Sequence, residues 1–92
     1  MEITFDPAKR DVTLQERGLD FADAAKVFAG VTLDMVDDRF DYAEERWITA
    51  GLLDGRMVVL VWTPTADGRR IISMRKANDR EQKRWSERLD RS

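Results

Sequence analysis

Nine of the sixteen basic residues of this 92-residue chain fall between Arg69 and Arg91, where only four acids accompany them. Residues 1–68 carry 7 basic and 14 acidic side chains, a net −7, against +5 for residues 69–92. The overall charge of −2 therefore conceals a polarity along the chain. Such asymmetry points to a charged partner for one end, or to contact between the two ends. A basic cluster of this density can neutralise several phosphates, and arginine can grip phosphate oxygens with two parallel N–H bonds. Strand alternation places Arg69, Ile71, Ser73 and Arg75 on one face and Ile72 and Met74 on the other. Farther on, Arg80, Lys83, Arg84 and Arg88 recur at helical spacing and make one positive stripe, with Trp85 and Leu89 on another face. A strand arginine set among residues such as Ile72 and Met74 needs an anionic neighbour or ligand. Arg69, Arg70 and Arg75 are therefore the first functional candidates. The competing explanation is a solvated surface offset by the acids of residues 37–45.

What is missing narrows the chemistry further. With no cysteine, disulfide scaffolds, thiol catalysis and Cys-based zinc sites are excluded. With no histidine, so are the Ser-His-Asp triad and the commonest general base near neutral pH. Asp34, Asp37, Asp38, Asp41, Glu44 and Glu45 lack the spacing and the glycine of a calcium loop, and an exposed acidic loop explains them better. The five glycines are scattered turn residues that fit no phosphate-binding fingerprint. No metal or cofactor is expected. Catalysis would have to use carboxylates, Lys, Arg, Tyr, Ser/Thr or backbone groups.

The elements that must position these groups can be read from caps and periodicity. Ile3 and Phe5 begin a short strand. Asp6-Pro7 starts a helix, with Asp6 as N-cap, that runs to about Arg17 and closes at Gly18. Asp20 starts a second helix, whose apolar face is Phe21, Ala24, Ala25 and Phe28, and Gly30 ends it. From Val31 the period becomes two. Arg46–Leu53 and Arg56–Thr63 flank Asp54-Gly55, the strongest hairpin signal in the chain. Arg69–Arg75 forms a further strand after a turn at 64–68, and a basic helix follows Asn78. Short turns between consecutive strands predict an antiparallel sheet, hence an α+β fold in a single domain over residues 1–92. Nothing in residues 1–10 resembles a signal peptide, and the longest apolar run, Met57–Trp62, is too short to span a bilayer. A soluble, cytoplasmic protein without membrane association is expected.

The order and spacing of ITFDPAK, LDFADAAKVF, EERWITAG…GRMVVLVWT and RRIISMRKANDRE, over about 85 residues, resemble the BrnT toxins. Most specific is Ile72-Ser73-Met74-Arg75-Lys76-Ala77 with Glu81 beyond it, which matches the family ending ISAR-x-A-x-x-x-E. The resemblance implies a toxin of a type II toxin–antitoxin system with a RelE-like fold, in which two N-terminal helices and a C-terminal helix pack on a twisted antiparallel sheet. It also implies cleavage of RNA, and neutralisation in a heteromeric complex by a BrnA-like antitoxin through which alone the toxin would meet DNA. There is one departure. Where the family usually reads Asn-x-x-Lys-His-Gly, this chain has Thr13, Glu16, Arg17 and Gly18. Arg17 keeps a positive charge there but cannot serve as a base at neutral pH.

Metal-free RNA cleavage needs a base for the ribose 2′-OH, cations for the pentacoordinate phosphorane and an acid for the leaving 5′-oxygen. Arg75 is the candidate for phosphorane stabilisation, assisted by Arg70 or Arg69. Arg69, Lys76, Arg80 and Arg17 are candidates for holding RNA, and Glu45 and Glu81 for the base, with Tyr42 as the only phenol. Trp47 and Trp62 could stack on bases, although aromatics in a central hairpin are more often core. The alternative, motivated by the missing histidine and a pI near 5.1, is a catalytically weak interaction module that binds an antitoxin-like partner through its basic C-terminal region.

Overall fold

The computed structural model describes residues 2–39 and 41–90, with side chains described through Arg88; Leu89 as a docking residue and Arg91 lie outside that set. The element order is β1 (Glu2–Phe5), α1 (Pro7–Arg17), a 3-10 turn (Phe21–Asp23), α2 (Ala24–Phe28), β2 (Thr32–Val36), β3 (Trp47–Leu53), β4 (Arg56–Pro64), β5 (Gly68–Lys76) and α3 (Asp79–Asp90). This is an α+β fold. Among the described residues no helix is long and apolar enough to cross a membrane.

Local chemistry accounts for most boundaries. The Asp6 carboxylate accepts the Ala8 N–H at 2.9 Å, and Pro7 occupies the first helical position. Gly18 closes α1 in the left-handed region at φ 68°, its N–H donating to the Leu14 carbonyl. Asp54 and Gly55 both have positive φ, 52° and 81°, as a two-residue hairpin turn between β3 and β4 requires. Asp20 caps the next segment through the Ala22 N–H, but that segment opens as a 3-10 turn and not as one continuous helix. The tighter winding shifts the buried phase. Val27 joins Phe21 and Ala24 in the core, and Ala25 is left exposed.

The five strands lie in the order β1-β5-β4-β3-β2. Three of the four pairings are antiparallel, but β1 runs parallel to β5, so the sheet is mixed and not antiparallel as expected. A parallel pair has no hairpin between its members, and no local turn announces it. Gly68 sits opposite Glu2, where a Cβ would overlap the Glu2 backbone.

The helices also divide differently from the expected arrangement. The second N-terminal helix has only five residues and opens from a 3-10 turn, and the sheet separates both N-terminal helices from α3. On one face Leu19, Phe21, Ala24 and Val27 pack against Val58, Leu60, Trp62, Ile71 and Met74. On the other, Ala77 and Trp85 pack against Ala50, Met57 and Val59. Apolar side chains on both faces explain why β4 is almost continuously hydrophobic.

One irregularity decides where the arginines point. Val61 pairs with Ser73 and Trp62 with Ile71, so Ile72 is the extra residue of a β-bulge. The bulge resets the alternation. Arg69 and Ile71 share the face of α1 and α2, whereas Ser73 and Arg75 face α3. The single face expected for Arg69, Ile71, Ser73 and Arg75 is therefore split in two.

Candidate functional site

The C-terminal half of β5 and the start of α3 build a cleft of about 250 Å³. Ile48, Val59 and Val61 form its floor and Trp85 a wall, while Arg39, Ser73, Arg75 and Glu81 supply its polar groups. Asn78 caps α3: its side-chain oxygen accepts the Glu81 N–H at 2.8 Å, and a Glu81 carboxylate oxygen accepts the Asn78 N–H at 2.9 Å. The same carboxylate accepts Nη1 and Nη2 of Arg75 at 2.7 and 2.8 Å. These bonds to Arg75, reinforced by the Asn78 N–H, hold the Glu81 carboxyl down at about 2. The reciprocal effect raises the Arg75 pKa above its ordinary value, so that group is charged at any pH of interest.

A second cation enters from the other end of the sheet. Beyond β2, the Asp37 N–H donates to the Arg46 carbonyl at 2.8 Å and turns the Asp37 side chain inward. Arg39 donates Nε and Nη2 to that carboxylate at 2.7 and 3.0 Å. This pairing holds Asp37 below the usual carboxylate range. Close by, the Arg46 guanidinium lies 3.9 Å over the Tyr42 ring.

The other candidate residues are distributed around this cleft or away from it. Arg70 faces the same side of the sheet and donates Nη2 to both oxygens of Glu44, at 2.8 and 2.7 Å. Glu45 is exposed, and its carbonyl accepts the Thr63 hydroxyl at 2.6 Å. Lys76 and Arg80 are exposed beside the β5–α3 connection. Arg69 lies on the opposite face, its guanidinium 4.0 Å from the Phe28 ring centre and 4.5 Å from that of Trp62. Arg17 is spent on structure, donating Nη1 to the Met74 carbonyl at 2.9 Å. Trp47 and Trp62 stack on the α1–α2 face at 6.1 Å. Trp62 is buried and donates its indole N–H to Thr49 at 2.7 Å, which makes it a core residue.

The structure thus gathers Arg75, Glu81 and Ser73, with Arg70 on the same side, and adds Arg39, Asp37 and Trp85. Arg39 does not stand out in the sequence. Its one signal is that it is the only basic residue among five acids in 37–45. Two guanidiniums and a hydroxyl around an apolar floor can bind an anion and stabilise growing negative charge. A carboxyl near 2 is a weak proton acceptor at neutral pH, so Glu81 suits the orientation of Arg75 better than the role of base. Among the described residues no three acidic side chains converge as a metal site would require.

A sequence model of the ribonuclease toxin BrnT, of type II toxin–antitoxin systems, matches residues 5–81. That span contains Asp37, Arg39, Ser73, Arg75 and Glu81. No curated protein matches the chain.

Proposed function

The chain belongs to the BrnT family of type II toxin–antitoxin ribonuclease toxins, and on that premise we propose that it is a metal-independent endoribonuclease neutralised by a BrnA-like antitoxin. The observation that carries this reading is the cleft between β5 and α3, where Arg75 is locked in place by Glu81 and shares an apolar-floored concavity with Arg39. A scissile phosphate in this cleft is stabilised by Arg75 as the 2′-oxygen adds to phosphorus. The P–O5′ bond then breaks, leaving a 2′,3′-cyclic phosphate on one fragment and, once the departing oxygen takes a proton from water, a 5′-hydroxyl on the other. Arg70 assists from the same face, and Lys76 and Arg80 hold flanking phosphates. Arg69 and Arg17, on the far side of the sheet, reach only RNA that wraps around its edge. Glu45 is the carboxylate left to act as base, since Glu81 is engaged by Arg75.

The test compares wild type with Arg75→Ala on RNA in the presence of a chelator, and follows growth arrest on expression. Cleavage and toxicity of the wild type alone support the assignment. An Arg75→Ala variant as active as the wild type overturns it. One observation favours the alternative of a weakly active interaction module: Arg39, Arg70 and Arg75 each have a carboxylate partner. On that reading purified protein binds the product of an adjacent reading frame but leaves RNA intact at neutral and mildly alkaline pH. A cytoplasmic location, with DNA met only through the antitoxin, is part of both readings.

A further inference from the structure

We propose that Arg39 is a second phosphate-binding residue of the cleft, held there by the buried Asp37 as its positioning residue. The inference rests on the RNA-cleaving reading above and extends it to a separate segment of the chain. The pairs Arg70–Glu44, Arg75–Glu81 and Arg39–Asp37 face this side of the sheet, and they differ in what they show a ligand. In the Arg70–Glu44 pair both side chains are open, 46% and 37% exposed. In the Arg75–Glu81 pair the cation is 44% exposed and the acid 18%. In the Arg39–Asp37 pair the cation is 61% exposed and the acid 0%. An approaching anion meets Arg39 without meeting its counter-charge, which is turned into the protein.

That orientation has a structural cause. Asp37 is drawn inward by its backbone bond to Arg46, and a buried carboxylate must be paired. Arg39, two residues on, supplies the pair through a two-point fork. The guanidinium plane is fixed before any ligand arrives, so little rotamer freedom is lost on binding. Arg39 and Arg75 line one concavity, and two like charges facing one space are both relieved by an anion between them. With Ser73 as a hydroxyl donor and Trp85 as an aromatic wall, a phosphodiester of single-stranded RNA suits that space.

The experiment measures binding of the full chain to an uncleavable 2′-O-methyl oligoribonucleotide of mixed sequence across a salt series, beside cleavage of ordinary RNA. Arg39→Gln removes the charge but keeps an amide donor for Asp37; Arg39→Lys keeps the charge but loses the fork. Arg56→Ala, at the far hairpin, is the control. Arg39→Gln should weaken binding about tenfold and flatten the slope of log affinity against log salt by about 0.7, the loss of one phosphate contact. Arg39→Lys should recover the slope with partial affinity, and Arg56→Ala should change neither. A wild type that cleaves and binds, with Arg39→Gln matching it in affinity and slope, overturns the role of Arg39 alone. A wild type that neither cleaves nor binds overturns the RNA reading, and this inference with it.

Discussion

Arg75 on β5 and Glu81 in the first turn of α3 clasp each other through two parallel bonds of 2.7 and 2.8 Å. The carboxylate that caps the helix is therefore the one that aims the arginine. Helix start and candidate site are one piece of structure, which explains how an exposed guanidinium can be held in a single orientation without a large core around it.

Replacing Arg75 should separate activity from stability. Arg75→Ala should lower the rate of RNA cleavage about 100-fold or more, as for loss of a group stabilising transition-state charge. Arg75→Lys should recover only part of this, because an ammonium cannot reproduce the fork. The pair is partly exposed, so urea unfolding should show a stability loss of only about 1 kcal/mol or less.

The same pair predicts a pH signature. The Glu81 carboxyl sits near 2 in the folded chain against an ordinary 4.5, so the folded state binds its proton less readily than the unfolded one. Its stabilising contribution is complete above the ordinary value and is lost as pH falls from 4.5 towards 2. The stability difference between wild type and Glu81→Gln should be constant from about pH 6 to 8 and shrink through that acid window. Chemical unfolding at a series of pH values gives the curve.

A hydrogen-bond chain whose inner link is buried should prove more important to stability than any surface ion pair. Trp62 donates to the Thr49 hydroxyl at 2.7 Å, and Thr49 donates onward to Asp34 at 2.6 Å. Thr49→Val keeps the shape but leaves the buried indole N–H without an acceptor, at a cost of about 1–3 kcal/mol. Urea unfolding followed by tryptophan fluorescence measures it.

Gly68→Ala tests the parallel edge. The added methyl would meet the Glu2 backbone, and backbone cannot swing aside as a flexible side chain can. A loss of about 1–3 kcal/mol is expected, with hydrogen-exchange protection falling first in Glu2–Phe5. An unchanged exchange pattern would count against the β1–β5 pairing.

Features whose causes lie within a few residues were legible from the sequence. The Asp6-Pro7 helix start, the Gly18 stop and the Asp54-Gly55 hairpin depend on caps and on left-handed φ values that the local residues supply. Arg75 and Glu81 are each legible as candidates, but their pairing across the β5–α3 connection is not. The 3-10 turn at Phe21 was not visible, because the spacing from Phe21 to Phe28 suits a full helix until the core selects Val27 over Ala25.

Capping, turn chemistry and apolar period act at short range, and they lay out most of the strands and helices along the chain, as composition does the basic C-terminal quarter. Which arginines work together depends on long-range packing. A one-residue bulge at Ile72 turns Arg69 away from Arg75. That bulge exists only in the register of β5 against β4, where a shift of one residue exchanges the faces of the sheet. Arg39 reaches the cleft because the buried Asp37, turned inward by its backbone bond to Arg46 on the neighbouring segment, orients it there.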